Sequence, residues 1–252
     1  MSGLPSGYTE LEYIQSSNGT YILAGIYPTN ETRVVADMQI PTAPSSHIGF
    51  FGSRTAYNSS DQYVLGVTGA KVFRTDFASN QATFASSVVC TVRSSIDKNG
   101  PTCTINGTTV NNTSNTFTGK YELILFGINT AGTIGNHGVM TLWSFKIYES
   151  ETLIRDFVPC KNASGAVGLY DIVGGQFYAN AGTGSFTAGP EIIPDPPAAP
   201  TGLQTVLAVV LQWAASANAD RYDVYRDSAK LGSTEGTQYV DTTPEANQTY
   251  VY

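Results

Sequence analysis

The chain has 252 residues, a formal net charge of −7 and a charged fraction of 13%. Its 13 Lys and Arg residues are scattered singly, whereas binding a phosphate backbone needs a basic cluster, so nucleic acid is not an expected partner. No apolar run approaches the roughly 20 residues that span a bilayer, so we expect no membrane insertion.

The N-terminal sequence MSGLPSGYTELEY lacks the basic and apolar regions of a secretory signal. If Met1 is the native start, we therefore expect the protein to begin its life in a bacterial-type cytoplasm. An odd cysteine count argues against a disulfide framework. A turn at Lys98 and Asn99 would place Ser94 opposite Cys103 and leave Cys90 about 13 Å away, too far for a bridge. We expect free buried thiols.

Composition predicts an all-β chain. Gly is abundant and aromatic residues reach 11%, a composition that suits short strands separated by tight turns. No stretch of ten or more residues combines apolar positions at helical spacing with helix-forming filler.

Alternation predicts the strands in chain order. In TRVVADMQI, the apolar residues from Val34 to Ile40 share one face. YELILFGI, 121–128, is apolar on both faces and predicts a central strand. LWSFKIYE places Trp143, Phe145 and Ile147 on one face, which favours core packing of Trp143 over sugar stacking. Seven further segments read as strands: EYIQS, TYILAGI, IGFFGS, YVLGVTG, VFRTDF, SVVCTVRSSI and TCTINGTTV. Ten or so strands predict a sandwich or jelly roll.

A proline-rich segment marks the sharpest boundary. Four prolines lie within seven positions, at Pro194, Pro196, Pro197 and Pro200, a density typical of a semi-rigid spacer. The sequence predicts a domain over 1–190, a linker over 191–200 and a smaller domain over 201–252.

The two ends of the first domain carry a family resemblance. LPSGYTELEYIQSSNGTYILAGI, and LWSFKIYE followed by LIRDFVPCKNASGAVGLYDIVGGQFYANAGTGSFTAGP, resemble a concanavalin A-like (laminin G-type) lectin/glucanase-fold domain. This version is common in virion proteins of gut phages and in surface proteins of their hosts. The resemblance implies a two-sheet jelly roll whose first and last strands meet, and a terminal hairpin in which GLYD pairs with QFYAN across IVGG. It does not imply an activity.

The second domain resembles a truncated fibronectin type III domain, an immunoglobulin-like sandwich. AAPTGLQTV, AVVLQWAAS and ADRYDVYRD look like its first three strands, with Trp213 in the core. The resemblance places Tyr250 at the tyrosine corner.

The sequence contains few residues in a pattern that would support catalysis. Arg155 and Asp156 are adjacent and point to opposite faces of a strand. The Glu-x-Asp-x-x-Glu strand of retaining glucanases is absent from the sequence, so we expect no enzyme. Cys160 has no sequence-adjacent histidine partner and reads as a buried thiol. No cofactor is predicted; Asp171 and Asn180 could supply oxygen ligands to Ca²⁺, although a satisfied turn is the favoured interpretation.

A glycan site, if the domain has one, is predicted in two places. Arg54, Tyr57 and Tyr63 lie in the region GSRTAYNSSDQYV, where exposed Tyr and Arg can form a binding surface, although a solvated hairpin is the default. Asn136 and His137 form the second place.

Three functions remain open. The first is a non-enzymatic phage tail-fibre, head-fibre or decoration protein, homo-oligomeric in the virion, which contacts bacterial surface glycans and other virion proteins after assembly in the host cytoplasm. The second is a secreted bacterial adhesin or carbohydrate-binding module at the cell surface. The third is a purely structural decoration module.

Overall fold

The computed structural model describes residues 3–193 and 207–252. The chain divides into two compact units, Met1–Pro194 and Asp195–Tyr252. Most of the predicted linker 191–200 lies outside the described residues. Within the two described ranges, no helix is long and apolar enough to cross a membrane.

The first unit consists of short strands joined by turns. Its strands are β1 (Tyr8–Glu10), β2 (Ile14–Ser16), β3 (Ile22–Leu23), β4 (Thr32–Gln39), β5 (Ile48–Arg54), β6 (Tyr63–Val67), β7 (Phe73–Phe77), β8 (Asn80–Thr83), β9 (Ser94–Asn99), β10 (Thr102–Ile105), β11 (Thr108–Asn111), β12 (Ile124–Leu125), β13 (Ile128–Thr130), β14 (Thr133–Gly135), β15 (Thr141–Glu149), β16 (Thr152–Asn162), β17 (Val167–Asp171), β18 (Gln176–Ala179) and β19 (Phe186–Ala188).

These strands form two sheets with one core between them. The first sheet runs β11-β10-β9-β4-β15-β16-β17-β18 and also contains β1, β2 and β19, whereas the second runs β14-β13-β5-β6-β7-β8 and also contains β3 and β12. Phe51 on β5 and Phe145 on β15 meet edge to face across the core, with ring centroids 5.3 Å apart. The predicted all-β sandwich is confirmed.

The ends of the first unit are joined within the first sheet. β1 pairs with β16, and β2 pairs with β19. A further bridge joins Leu11 to Glu191. The predicted terminal hairpin is also confirmed, because β17 and β18 pair from Gly168 with Ala179 to Asp171 with Gln176. The segment 154–184, which contains most of β16 together with β17 and β18, therefore has a structural role. It pairs with the N-terminal strand β1 and forms one end of the first sheet.

Alternation identified β4 correctly, and it identified most of β15. β4 buries every second residue, including Val34 and Met38. On β15, the register against β4 shifts between Leu142 and Ser144. This bulge inserts Trp143 as an extra residue and turns it out of the core, so the predicted core packing of Trp143 is wrong.

One predicted strand and one predicted hairpin register are also wrong. The segment 121–128 is divided into β12 and β13, because Phe126 adopts a left-handed backbone conformation with φ 67°. The hairpin that carries Cys103 turns at Gly100 and Pro101, so Cys103 lies opposite Lys98 instead of Ser94. All three cysteines are free and buried.

The second unit contains two small two-stranded sheets. They are formed by β20 (Val209–Gln212) with β23 (Gln238–Asp241), and by β21 (Tyr222–Arg226) with β22 (Ala229–Thr234). The Trp213 and Tyr222 rings pack edge to face at 5.3 Å. The Tyr250 hydroxyl accepts a hydrogen bond from the Glu245 amide at 2.9 Å.

Candidate functional site

The outer face of the second sheet carries a cluster of charged and aromatic side chains. On β7, Phe73 and Phe77 point into the core, so Arg74 and Asp76 point to the opposite face. Arg54, at the end of β5, reaches the same face. We call the cluster formed by His47, Arg54, Tyr57, Arg74 and Asp76 the Tyr57 site.

Asp76 is the single carboxylate of the Tyr57 site and is fully buried. Arg74 binds it in a bidentate manner, with Nε 2.9 Å from Oδ1 and Nη2 3.1 Å from Oδ2. Arg54 Nη1 lies 3.9 Å from Asp76 Oδ2, beyond hydrogen-bond reach. Burial raises the pKa of Asp76, an effect that the charges of Arg74, Lys98 and Arg54 oppose.

Tyr57 lies over both guanidinium groups. Its ring centroid is 5.6 Å from Arg54 Cζ and 5.3 Å from Arg74 Cζ, within the range of cation–π attraction. Its hydroxyl donates a hydrogen bond to Gln81 Oε1 at 3.0 Å. Tyr57 nevertheless stays 54% exposed, so the cluster holds an aromatic ring in place while leaving much of it open to solvent.

The loop that carries Tyr57 is closed at its base. The Thr55 amide donates to the buried Asp61 carboxylate at 3.2 Å, and the Thr55 hydroxyl bonds the same group. Within the loop, the Ser59 amide donates to the Ala56 carbonyl at 3.1 Å. These bonds restrict the loop before any ligand arrives.

His47 lines the other end of the site. Burial, together with the smaller effect of the charges of Arg74 and Arg54, lowers the pKa of His47 to about 4, so the imidazole is neutral at pH 7. Its Nδ1 lies 3.4 Å from Arg74 Nη2, which assigns the ring proton to Nε2. Gly66 makes room for this ring, because a Cβ there would come 2.8 Å from Nε2.

Two buried donor atoms of the site have no hydrogen-bond partner among the described residues. They are Nη1 of Arg54, whose side chain belongs to a residue only 8% exposed, and Nε2 of His47. Buried donors without acceptors are costly. Two guanidinium groups also share one carboxylate, so the site is positive within an acidic chain. The arrangement suits a ligand that supplies oxygen acceptors.

Tyr63 does not belong to this site. It opens β6 with its side chain in the core, where its hydroxyl donates to the carbonyls of Lys98 at 2.8 Å and Thr32 at 3.1 Å. Its ring packs under the buried Lys98 ammonium, with Nζ 4.4 Å from the centroid. Strand pairing of β6 between β5 and β7 fixes this inward orientation, so the ring is not available to a surface ligand.

Asn136 and His137 lie at the margin of the site. Asn136 Nδ2 donates to the His47 carbonyl at 2.9 Å, which ties this segment to the His47 end of the cluster. His137 instead lies 3.4 Å from the Phe126 carbonyl through Nδ1 and 6.0 Å from the Tyr21 ring. The structure therefore gathers Arg54 and Tyr57, joins Asn136 to the backbone of His47, and gives His137 hydrogen-bond and ring contacts outside the cluster.

The residues suggested for Ca²⁺ are engaged in separate turns. Asp171 Oδ1 accepts from the amides of Asp156 and Val173 at 2.8 and 3.1 Å, while Asn180 Oδ1 accepts from Tyr21 and Gly182. Across the described ranges, no group of three or more His, Cys, Asp or Glu side chains is arranged to hold a metal ion.

Sequence reasoning missed three members of the Tyr57 site: His47, Arg74 and Asp76. One signal for two of them was present, because FRTDF alternates apolar residues with an Arg and an Asp on a single strand face. His47 carried no such signal, since its place depends on the pairing of β5 with β6.

Comparisons with known proteins give partial similarities. No protein family profile matches the chain. A stretch of 76 residues is 42% identical to poly(3-hydroxybutyrate) depolymerase from Ralstonia pickettii, covering 29% of this chain and 14% of that protein. Among solved structures, a candidate carbohydrate-binding protein from Bacteroides ovatus ATCC 8483 gives a TM-score of 0.49 at 7% identity, covering 73% of this chain and 62% of that one. The fold assignment rests on the strand pairing described above.

Proposed function

We propose that this protein is a non-enzymatic adhesion module that binds bacterial surface glycans through the Tyr57 site. The observation that carries the proposal is the Tyr57 ring, which is 54% exposed yet held by two guanidinium groups and Gln81. Because the orientation of this exposed ring is already fixed, ligand binding loses little side-chain conformational entropy.

The chemistry of the site suits a sugar. The C–H face of a pyranose ring is apolar and packs on the negative face of an aromatic ring. Sugar hydroxyl and carboxylate oxygens accept hydrogen bonds from donors such as Arg54 Nη1, which has no partner within the part of the chain that the structure describes. Because guanidinium groups outnumber carboxylates here, glycans that carry carboxylated sugars are the favoured class.

The carboxylate arrangement supports binding without catalysis. Glycoside hydrolysis uses two carboxyl groups that flank the scissile bond. The Tyr57 site has one, Asp76, and both of its oxygens accept from Arg74. It has no free carboxylate to protonate a leaving group or attack an anomeric carbon.

The setting of the module is a phage virion appendage, assembled in the host cytoplasm and homo-oligomeric with other virion proteins around it. This assignment is supported by the resemblance of both ends of the first unit to gut phage virion domains. The second unit is fibronectin type III-like, as supported by the Tyr250 hydroxyl bond to the Glu245 amide. The alternatives are a secreted adhesin or carbohydrate-binding module, and a structural decoration module. Mass spectrometry of purified virions tests the setting, and detection only in a secreted fraction would favour the adhesin.

Replacing Tyr57 with alanine is expected to weaken glycan binding by about tenfold or more, because the exposed aromatic ring is lost. The measurement is binding of the labelled full chain to gut bacterial cells, with purified surface polysaccharides as competitors. Tyr27→Ala is the matched control, because Tyr27 is 58% exposed and lies outside the site; it is expected to bind as the unmodified chain does.

Two results would count against this function. Equal losses in the Tyr57→Ala and Tyr27→Ala chains would remove the Tyr57 site from glycan binding. Absence of saturable binding by the folded, unmodified chain across the cell panel would favour the structural decoration module.

A further inference from the structure

We propose that a cavity on the outer face of the first sheet, beside Trp143, is a second binding site and binds an uncharged sugar unit. The cavity has a volume of about 320 Å³, at the lower end of the range of small-molecule sites. It lies among β1, β15 and β16, whereas the Tyr57 site lies on the second sheet. The inference therefore does not depend on the function proposed for the Tyr57 site.

The bulge in β15 is what creates this site. Ser144 pairs with Asp37 on the outer face, and Leu142 packs inward, so Trp143 is the inserted residue between them. Arg93 binds Asp37 at 2.6 Å and lies 4.5 Å over the Trp143 ring. The Tyr13 ring lies 5.5 Å from the same indole. These contacts fix the indole while it lines the cavity.

The indole donor of Trp143 needs an acceptor. Its Nε1 is buried and has no hydrogen-bond partner among residues 3–193 and 207–252. Tryptophan donates only through this atom, and leaving a buried donor unsatisfied is unfavourable. A ligand oxygen that reaches Nε1 from the cavity would supply the missing acceptor.

Two carboxylates on the same lining are open to a ligand donor, because Glu12 is exposed and Glu10 is half-buried. Glu10 and Glu12 line the cavity, and neither has an ion-pair or side-chain hydrogen-bond partner in the described part of the chain. Asp156 also lines the cavity but is paired with Lys146 at 2.6 Å. Three carboxylates and one ammonium line the cavity, and the neighbouring Arg93 is paired with Asp37, so the lining is negative.

These demands define the ligand class. A hydroxyl group accepts from an indole N–H and donates to a carboxylate, so a polyhydroxylated uncharged sugar meets both needs. A simple cation satisfies the carboxylates but brings no acceptor for Trp143, and an acidic sugar is repelled by Glu10 and Glu12. The volume accommodates one sugar unit.

The two tryptophans of the chain provide a direct test. The nitrogen-15 NMR spectrum of the full chain contains two indole N–H signals, and Trp143→Phe and Trp213→Phe assign them. Methyl glucoside, methyl galactoside, N-acetylglucosamine and glucuronate are each titrated to about 100 mM, a range that covers millimolar dissociation constants. We expect at least one uncharged sugar to shift the Trp143 signal saturably, with no matching shift of Trp213 and a weaker response to glucuronate.

Three outcomes would overturn the inference. No shift of the Trp143 signal by any uncharged sugar would make the cavity a structural void. Equal shifts of both indole signals would indicate non-specific contact, and an equal response to glucuronate would contradict the charge argument. The Tyr57→Ala chain is expected to keep the Trp143 response, so failure of this site and failure of the Tyr57 site are separately visible.

Discussion

Replacing Asp76 with asparagine is expected to lower the free energy of unfolding of the first unit by roughly 3–5 kcal/mol. Asparagine keeps nearly the same shape but removes the single negative charge between Arg54 and Arg74. Both guanidinium groups belong to the same largely buried cluster, where water screens their repulsion poorly. Urea unfolding followed by circular dichroism measures the loss.

Two variants control this result. Asp37→Asn removes the same charge from the Arg93 pair, whose side chains are 50% and 28% exposed, and is expected to cost less than about 1 kcal/mol. In an Arg54→Leu background, the cost of Asp76→Asn should shrink, because only one guanidinium then lacks a counter-charge. A cost for Asp76→Asn no larger than that for Asp37→Asn would contradict the cluster's electrostatic role.

Replacing Lys98 with methionine is expected to stabilise the first unit by about 1–2 kcal/mol at pH 7. Lys98 is fully buried, and burial lowers its pKa from 10.5 to about 8, an effect that Cys103 and Asp76 oppose. Holding the charge at pH 7 therefore costs roughly 3 kcal/mol. Methionine removes this cost but also the hydrogen bonds of Nζ to Thr75 Oγ1 and the Gly100 carbonyl, each worth about 1 kcal/mol.

The pH dependence gives the sharper test of Lys98. Between the folded pKa of about 8 and the unfolded pKa near 10.5, the unfolded state binds the proton that the folded state has released, so stability rises with pH. Burial raises the pKa of Cys103 to about 11 and of Cys160 to about 12. Ionisation of these thiols in the unfolded state lowers stability as pH rises toward and above 9, in the unmodified chain and in Lys98→Met alike, so the difference between the two chains isolates Lys98.

Urea unfolding at pH 7, 8 and 9 measures both effects. Between pH 8 and 9, the stability of the unmodified chain relative to Lys98→Met is expected to rise by up to about 1.4 kcal/mol per pH unit. Lys120→Met, at an exposed position, is the matched control and should show the same rise relative to Lys98→Met as the unmodified chain does. A stability difference that stays constant from pH 8 to 9 would contradict the assignment to Lys98.

Much of the fold was predictable because a strand has a side-chain period of two. β4 and the all-β class follow from alternation and turn residues within short segments, whereas the hairpin of β17 and β18 follows from the family resemblance of the C-terminal end of the first unit. The Tyr57 site was predictable in part, since Arg54 and Tyr57 lie three residues apart. His47 comes from the residue before β5, and Arg74 and Asp76 come from β7, so only the pairing of β5, β6 and β7 brings them together with Tyr57.

Local sequence determined which segments are strands and, in most of them, which residues are apolar on one face. Tertiary structure decided the faces of Trp143 and Tyr63, which alternation did not predict. A single inserted residue in β15 turned Trp143 outward, and pairing within the second sheet turned Tyr63 inward. The physical reason is that a shift of one residue moves a side chain to the other face of a sheet, and such a shift is set by partners far away along the chain.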